Sequence, residues 1–190
     1  MKSETRILTI PNTTPSEIAE ELELEIIFSY YMNTEDISRY IRHITRIVKP
    51  ALAYKIKEAL EKMFDKIIME LQRVREDIDG IKRKNIDLDK KVHVARLLKR
   101  EQELERLLIN GRIRVTHSEK GNTQVITITL EYDRDPETTV VLMGDENEVE
   151  TIIEMLEEIK DRNTSKRRIH YYTGYSGFNR LYDLYRYLRL

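Results

Sequence analysis

Apolar residues recur at Leu52, Ile56, Leu60, Met63, Ile67, Leu71, Val74 and Ile78, three or four positions apart, which is the period of one face of an α-helix. The pattern predicts a helix over 51–79, a rod of roughly 40 Å at about 1.5 Å of rise per residue. Gly80 and a polar run from Lys82 to Asn85 interrupt it. A second stripe, Leu88, Val92, Ala95, Leu98, Leu104 and Leu108, predicts a helix over 88–109, closed by Asn110-Gly111. Two long helices joined by a short polar loop should pack as an antiparallel helical hairpin.

Before the hairpin, Thr14, Pro15 and Glu17 form a helix start, with Thr14 as the cap and Pro15 at the first helical position. Ile18, Leu22, Ile26 and Tyr30 then recur every four positions and predict a helix over 15–32. Ile37, Ile41, Ile44 and Val48 predict another over 35–49, with Arg39, Arg42, His43, Arg46 and Lys49 on its other side. After Gly111 the period drops to two: Ile113, Val115 and His117, a turn at Lys120-Gly121-Asn122, then Ile126, Ile128, Leu130 and Tyr132. A third strand is expected over 138–143. Gly144-Asp145 starts a helix, with Asp145 and Glu148 as a capping box, that buries Val149, Ile152, Ile153, Leu156 and Ile159. A fourth strand is expected over 168–172 and a last helix from Phe178. The expected fold class is therefore α+β. Residues 1–110 form a helical region with the long antiparallel hairpin, and 111–190 form a small β-β-β-α-β-α region that shares a core with it or stands apart.

Composition narrows the function classes mostly by exclusion. With no cysteine among 190 residues there is no disulfide, zinc-thiolate site or thiol nucleophile. The opening residues lack the basic start and apolar run of a secretory signal, and no apolar stretch approaches the length of a bilayer span, so a cytoplasmic protein is expected. The 35% of charged residues, rich in Ile and poor in Gly, resembles hyperthermophile composition and suggests an archaeal or archaeal-virus source. No phosphate-binding loop, dinucleotide glycine pattern, nucleophile elbow or HExxH helix is present. His43, His93, His117 and His170 fall on four separate predicted elements, which argues against a metal site. Glu131, Asp133, Asp135 and Glu137 have the spacing of a solvated strand edge more than that of a Mg²⁺ site. No enzyme and no cofactor are expected.

Charge is segregated although the net value is only −1. Residues 1–36 and 131–161 are acidic, and residues 81–100 and 162–190 are basic. Lys166, Arg167, Arg168, His170, Tyr171, Tyr172, Tyr175 and Arg180 interleave cations with aromatic rings. That mixture suits phosphates and stacked bases. The reading is a non-enzymatic nucleic-acid-binding protein, selecting single strands or shapes over base sequence. The alternative is an assembly protein that oligomerises through its hairpin, burying Met63, Ile67, Leu71 and Val74 between copies.

Overall fold

A computed structural model describes residues 2–83, 87–131 and 135–173. Strands come before the long helices, which corrects the expected helical N-terminus. The order is β1 (Ser3–Pro11), α1 (Pro15–Glu21), β2 (Glu25–Met32), a 3-10 turn (Thr34–Asp36), α2 (Ile37–Ile44), α3 (Pro50–Lys82), α4 (Leu88–Asn110), β3 (Ile113–Lys120), β4 (Thr123–Leu130), β5 (Glu137–Asp145) and α5 (Glu146–Thr173). The protein is a mixed α/β fold around one antiparallel five-stranded sheet, ordered β1-β5-β4-β3-β2.

The helix expected over 15–32 ends at Glu21 for a local reason. Glu23 adopts φ 51°, and Leu24 N–H donates to the Ala19 carbonyl while Glu23 N–H donates to that of Glu20. That is a Schellman ending with glutamate where glycine is usual. The chain then crosses into β2, whose Ile26, Ile27, Phe28, Tyr30 and Tyr31 are β-branched and aromatic residues suited to a pleated surface. The strand expected over 168–172 is absent: α5 continues as helix to Thr173. Residues 174–190, including the helix expected from Phe178, lie outside the described residues.

β1 and β2 occupy opposite edges of the sheet, so the chain must cross its full width between them. α1 makes that crossing on one face, over β4, and Lys120 Nζ fixes its end by donating to the Leu22 carbonyl at 2.7 Å. α5 lies on the same face against β1 and β5. Ile10, Ile18, Leu22, Val125, Val140, Leu142, Val149, Ile152 and Leu156 form the core there. On the other face lie α2 and the α3–α4 hairpin, whose core includes Leu52, Ile56, Leu60, Leu71, Leu104, Val115, Ile126, Ile128 and Val141. The sheet is thus the middle of three layers, and β4, its central strand, is buried on both faces.

The hairpin is antiparallel, with Arg75 bonded to Glu105 at 2.6 Å and Arg100 to Glu70 at 2.8 Å across it. The stripe that was to face a second copy faces this chain instead. Ile67, Leu71 and Val74 are all buried and Met63 is half-buried, packed against α4 and the sheet. The reading that needed an uncovered hairpin loses its support. Glu148 also departs from its expected capping role: its carboxylate accepts from Asn122 N–H at 3.2 Å and Thr123 Oγ1 at 2.8 Å, bracing the β3–β4 turn. Gly121 holds φ 60° in that turn, a conformation that suits glycine.

One buried polar cluster ties the layers together at the end of β1. Asn163 Nδ2 of α5 donates to Thr13 Oγ1 at 2.6 Å, Thr13 Oγ1 donates to the Pro11 carbonyl at 2.9 Å, and Thr138 Oγ1 donates to the Thr13 carbonyl at 2.5 Å. Asn163 is buried. Asn163→Ala should therefore cost about 1–3 kcal/mol, the penalty for leaving buried partners unsatisfied. Urea unfolding of the variant checks this, and a loss below about 0.5 kcal/mol would show that the cluster contributes little.

Candidate functional site

Two features stand out on the α2 side of the sheet. The first is a buried aromatic cluster. Tyr40 of α2 places its hydroxyl 2.7 Å from Nε2 of His117 on β3. Phe28 stacks on the imidazole with centroids 4.2 Å apart, and Tyr30 meets Tyr40 edge-on at 5.4 Å. Burial first, and the neighbouring His43 second, push His117 down to about 4. Burial, reinforced by Tyr30, holds Tyr40 far above the ordinary phenol range. Both groups are therefore neutral near pH 7, and no proton transfer between them is favoured. Among the described residues, the buried Tyr30 hydroxyl has no hydrogen-bond partner. The cluster anchors α2 to the sheet, since Tyr40 and Ile44 are the buried residues of that helix.

The second feature is what that anchoring exposes. With Tyr40 and Ile44 turned inward, Arg39, Arg42 and His43 are turned to solvent, and Arg46 and Lys49 are exposed in the segment that follows. From Ile37 to Lys57 the chain carries six cations and no carboxylate. Among the described residues, Arg39, Arg42, Arg46 and Lys49 form no ion pair, although Arg42 Nε bonds the Ser38 carbonyl at 3.3 Å. By contrast, the hairpin cations Lys62, Lys66, Arg75 and Arg100 each have a carboxylate partner. Tyr54, in the same acid-free stretch, is 66% exposed.

The basic tyrosine segment has a different geometry from the expected one. Lys166, Arg167, Arg168, His170, Tyr171 and Tyr172 lie in the last turns of α5, so alternating strand faces do not sort its cations from its rings. Their side chains lie outside the described residues, as do Tyr175 and Arg180 entirely. The basic stripe of α2 was visible in the sequence as Arg39, Arg42 and Arg46. Its freedom from carboxylates was equally visible, but only the structure shows that no distant acid among the described residues pairs with Arg39, Arg42 or Arg46.

The remaining candidates close off. Of the acidic run on β4–β5, Glu131 pairs with Arg114 at 3.5 Å and Glu137 with Lys66 at 3.2 Å, and Asp133 lies outside the described residues. No cluster of three His, Asp or Glu side chains that would hold a metal occurs among the described residues. An open cleft of about 290 Å³ between the hairpin and β1, β4 and β5 has an apolar floor that includes Ile7, Met63, Leu104 and Leu130. Its charged rim is taken up by the Lys66–Glu137 and Arg100–Glu70 pairs.

The chain matches no family model, no curated protein and no solved structure. Among the described residues, no helix is long and apolar enough to cross a membrane.

Proposed function

We propose that the protein binds nucleic acid without catalysis, through the exposed face of α2 and the segment that follows it, recognising backbone and strandedness instead of base sequence. The observation that carries this reading is the group of four exposed cations, Arg39, Arg42, Arg46 and Lys49, that form no ion pair among the described residues, in a chain whose net charge is −1. The hairpin cations Lys62, Lys66, Arg75 and Arg100 are placed beside acids. Leaving Arg39, Arg42, Arg46 and Lys49 without them concentrates positive potential on one surface, which attracts a phosphate backbone. Tyr54 supplies an exposed ring within the same stretch, and a base stacked on it would add about 1–3 kcal/mol that salt does not screen.

α2 is eight residues long and turns Tyr40 and Ile44 into the core, with Tyr40 bonded to His117 of β3. The segment that joins α2 to α3, residues 45–49, holds no glycine, unlike the short Gly-containing turn of a helix-turn-helix. That geometry favours contact with backbone over insertion into a groove. The cations of 166–168 belong to the same proposal as a second basic segment. Titration of labelled single-stranded and duplex DNA at two salt concentrations tests the reading. Binding that weakens steeply with salt and prefers the single strand is the expected result. No binding to DNA or RNA at low salt would end the proposal.

A further inference from the structure

At one end of the sheet the face turned toward the hairpin layer changes from apolar to polar. Glu119 of β3 pairs in register with Gln124 of β4, Gln124 with Met143 of β5, and Asp145 of β5 with Ser3 of β1. The strand period of two sets Glu119 on the face of Ile113 and Val115, Gln124 on that of Ile126 and Ile128, and Asp145 on that of Val141 and Met143, all members of the hairpin-side core. Glu119, Gln124, Asp145 and Ser3 thus continue the buried rows as a polar border. Facing them across an open cavity of about 600 Å³ are Ile47 and Lys49 of the α2–α3 connection, and Lys2, just ahead of β1, also lines it.

Four charges line this cavity, Lys2, Lys49, Glu119 and Asp145, and none of them forms an ion pair among the described residues. Their sum is zero, so the cavity is no general trap for anions. Two lysines that lack acceptors and two carboxylates that lack donors suit a ligand that brings both kinds of group. A nucleotide is such a ligand: its phosphate accepts from a lysine, and its base edge carries donors for a carboxylate or an amide.

We propose that this cavity takes one unstacked nucleotide of a bound single strand, with the phosphate at Lys49 and the base edge at Gln124 and Glu119. The proposal rests on the nucleic-acid reading of α2 and adds to it a place for a base. Lys49 belongs to both: it is one of the four unpaired cations of the basic surface and a wall of the cavity. A backbone held at Arg46 and Lys49 therefore brings a base to the opening. The volume lies within the range of about 300–1,000 Å³ common to ligand sites. Ile47, 56% exposed, and the buried Met143 offer apolar surface to the faces of the ring.

Two selectivities follow from this chemistry. A base in a duplex is stacked and has its pairing edge occupied, so only an unpaired strand can offer one to the cavity without the cost of extrusion. Adenine, cytosine and guanine carry an exocyclic amino group that a carboxylate accepts from, whereas thymine and uracil present a carbonyl oxygen at C4, which a carboxylate repels. The cavity therefore sorts bases by class and does not read a sequence.

Titration of the full chain with labelled oligo(dC) and oligo(dU) of equal length at neutral pH tests the inference, because the two strands share a backbone and differ at the C4 group and the N3 proton that goes with it. The parent should bind oligo(dC) roughly 10-fold more tightly. Glu119→Ala with Gln124→Ala should erase that preference and leave the slope of log K against log salt unchanged, since neither group meets a phosphate. Lys49→Ala should keep the preference and make the slope shallower by about 0.7. If the double variant fails to fold by circular dichroism, Ser3→Trp decides: Ser3 is exposed at the start of β1 and lines the cavity, so the added bulk should remove the preference. Equal binding of the two strands by the parent overturns the pocket and leaves backbone contact by α2 standing, and a folded double variant or Ser3→Trp variant that keeps the preference does the same. A parent that binds neither strand at low salt ends both readings.

Discussion

Ile128→Ala should cost about 3–4 kcal/mol, within the range for an isoleucine truncated in a core that does not collapse around the gap. Ile128 is fully buried on β4, the central strand of the sheet, and faces the hairpin layer. Two features keep the site from relaxing. β4 is hydrogen-bonded to β3 and β5 along most of its length, so its backbone has no freedom to shift into the gap. The facing layer is a long hairpin held along its length by Ile56, Leu60, Leu71 and Leu104 in the same core. For a domain of this size the loss is a large part of total stability. Urea unfolding of parent and variant measures it, with Ile47→Ala as control. Ile47 is 56% exposed, and its truncation should change stability by no more than about 0.5 kcal/mol. Equal effects at the two positions would contradict the three-layer packing.

Acidification should remove about 3 kcal/mol of stability through His117 alone. The folded protein holds His117 neutral down to about 4, whereas the unfolded chain protonates it near the ordinary value of about 6.5. Between those two values the unfolded state binds the extra proton. Stability therefore falls as pH drops from 6.5 toward 4, by up to about 1.4 kcal/mol per pH unit, and gains nothing further from this group above 6.5. Carboxylates also titrate at the lower end of that window, so the informative quantity is a difference between proteins. His117→Gln removes the titration and retains a group that can bond the Tyr40 hydroxyl. Between pH 7 and pH 4.5 the parent should lose about 2–3 kcal/mol more than the variant. Parallel losses in the two proteins would show that the imidazole is protonated in the folded state.

The parts of the fold legible in the sequence were those whose period admits one interpretation. The stripe from Leu52 to Ile78 repeats by threes and fours and became α3, and the alternation from Ile113 to Leu130 became the β3–β4 ladder. The spacing Ile18, Leu22, Ile26, Tyr30 was ambiguous, because four is close to one helical turn and is also twice the strand period. Ile26 to Met32 took the strand option once Glu23 had ended α1. β1 lies near the N-terminus, and its pairing partner, β5, begins 126 residues after it ends, at Glu137. Nothing local marks such a strand. At the other end, Arg168 to Tyr172 has strand-like composition, but α5 propagates through it, and extending a formed helix is easier than nucleating a new element.

The site divides in the same way. The cations of α2 are local and were readable in the sequence, as was the absence of acids near them. The Tyr40–His117 contact joins residues 77 apart and had no local signature. That contact decides which side of α2 faces water, and with it whether Arg39 and Arg42 are presented or buried.

The most direct measurement of the proposed function is the salt dependence of single-stranded DNA binding by the parent and by Arg39→Ala/Arg42→Ala/Arg46→Ala. All three arginines are exposed and none bonds a carboxylate among the described residues, so folding should survive their loss. Each phosphate contact to a single strand contributes about 0.7 to the slope of log K against log salt, so the triple variant should bind with a slope shallower by about 2. A folded variant whose affinity and slope match those of the parent would contradict the assignment of nucleic-acid binding to α2.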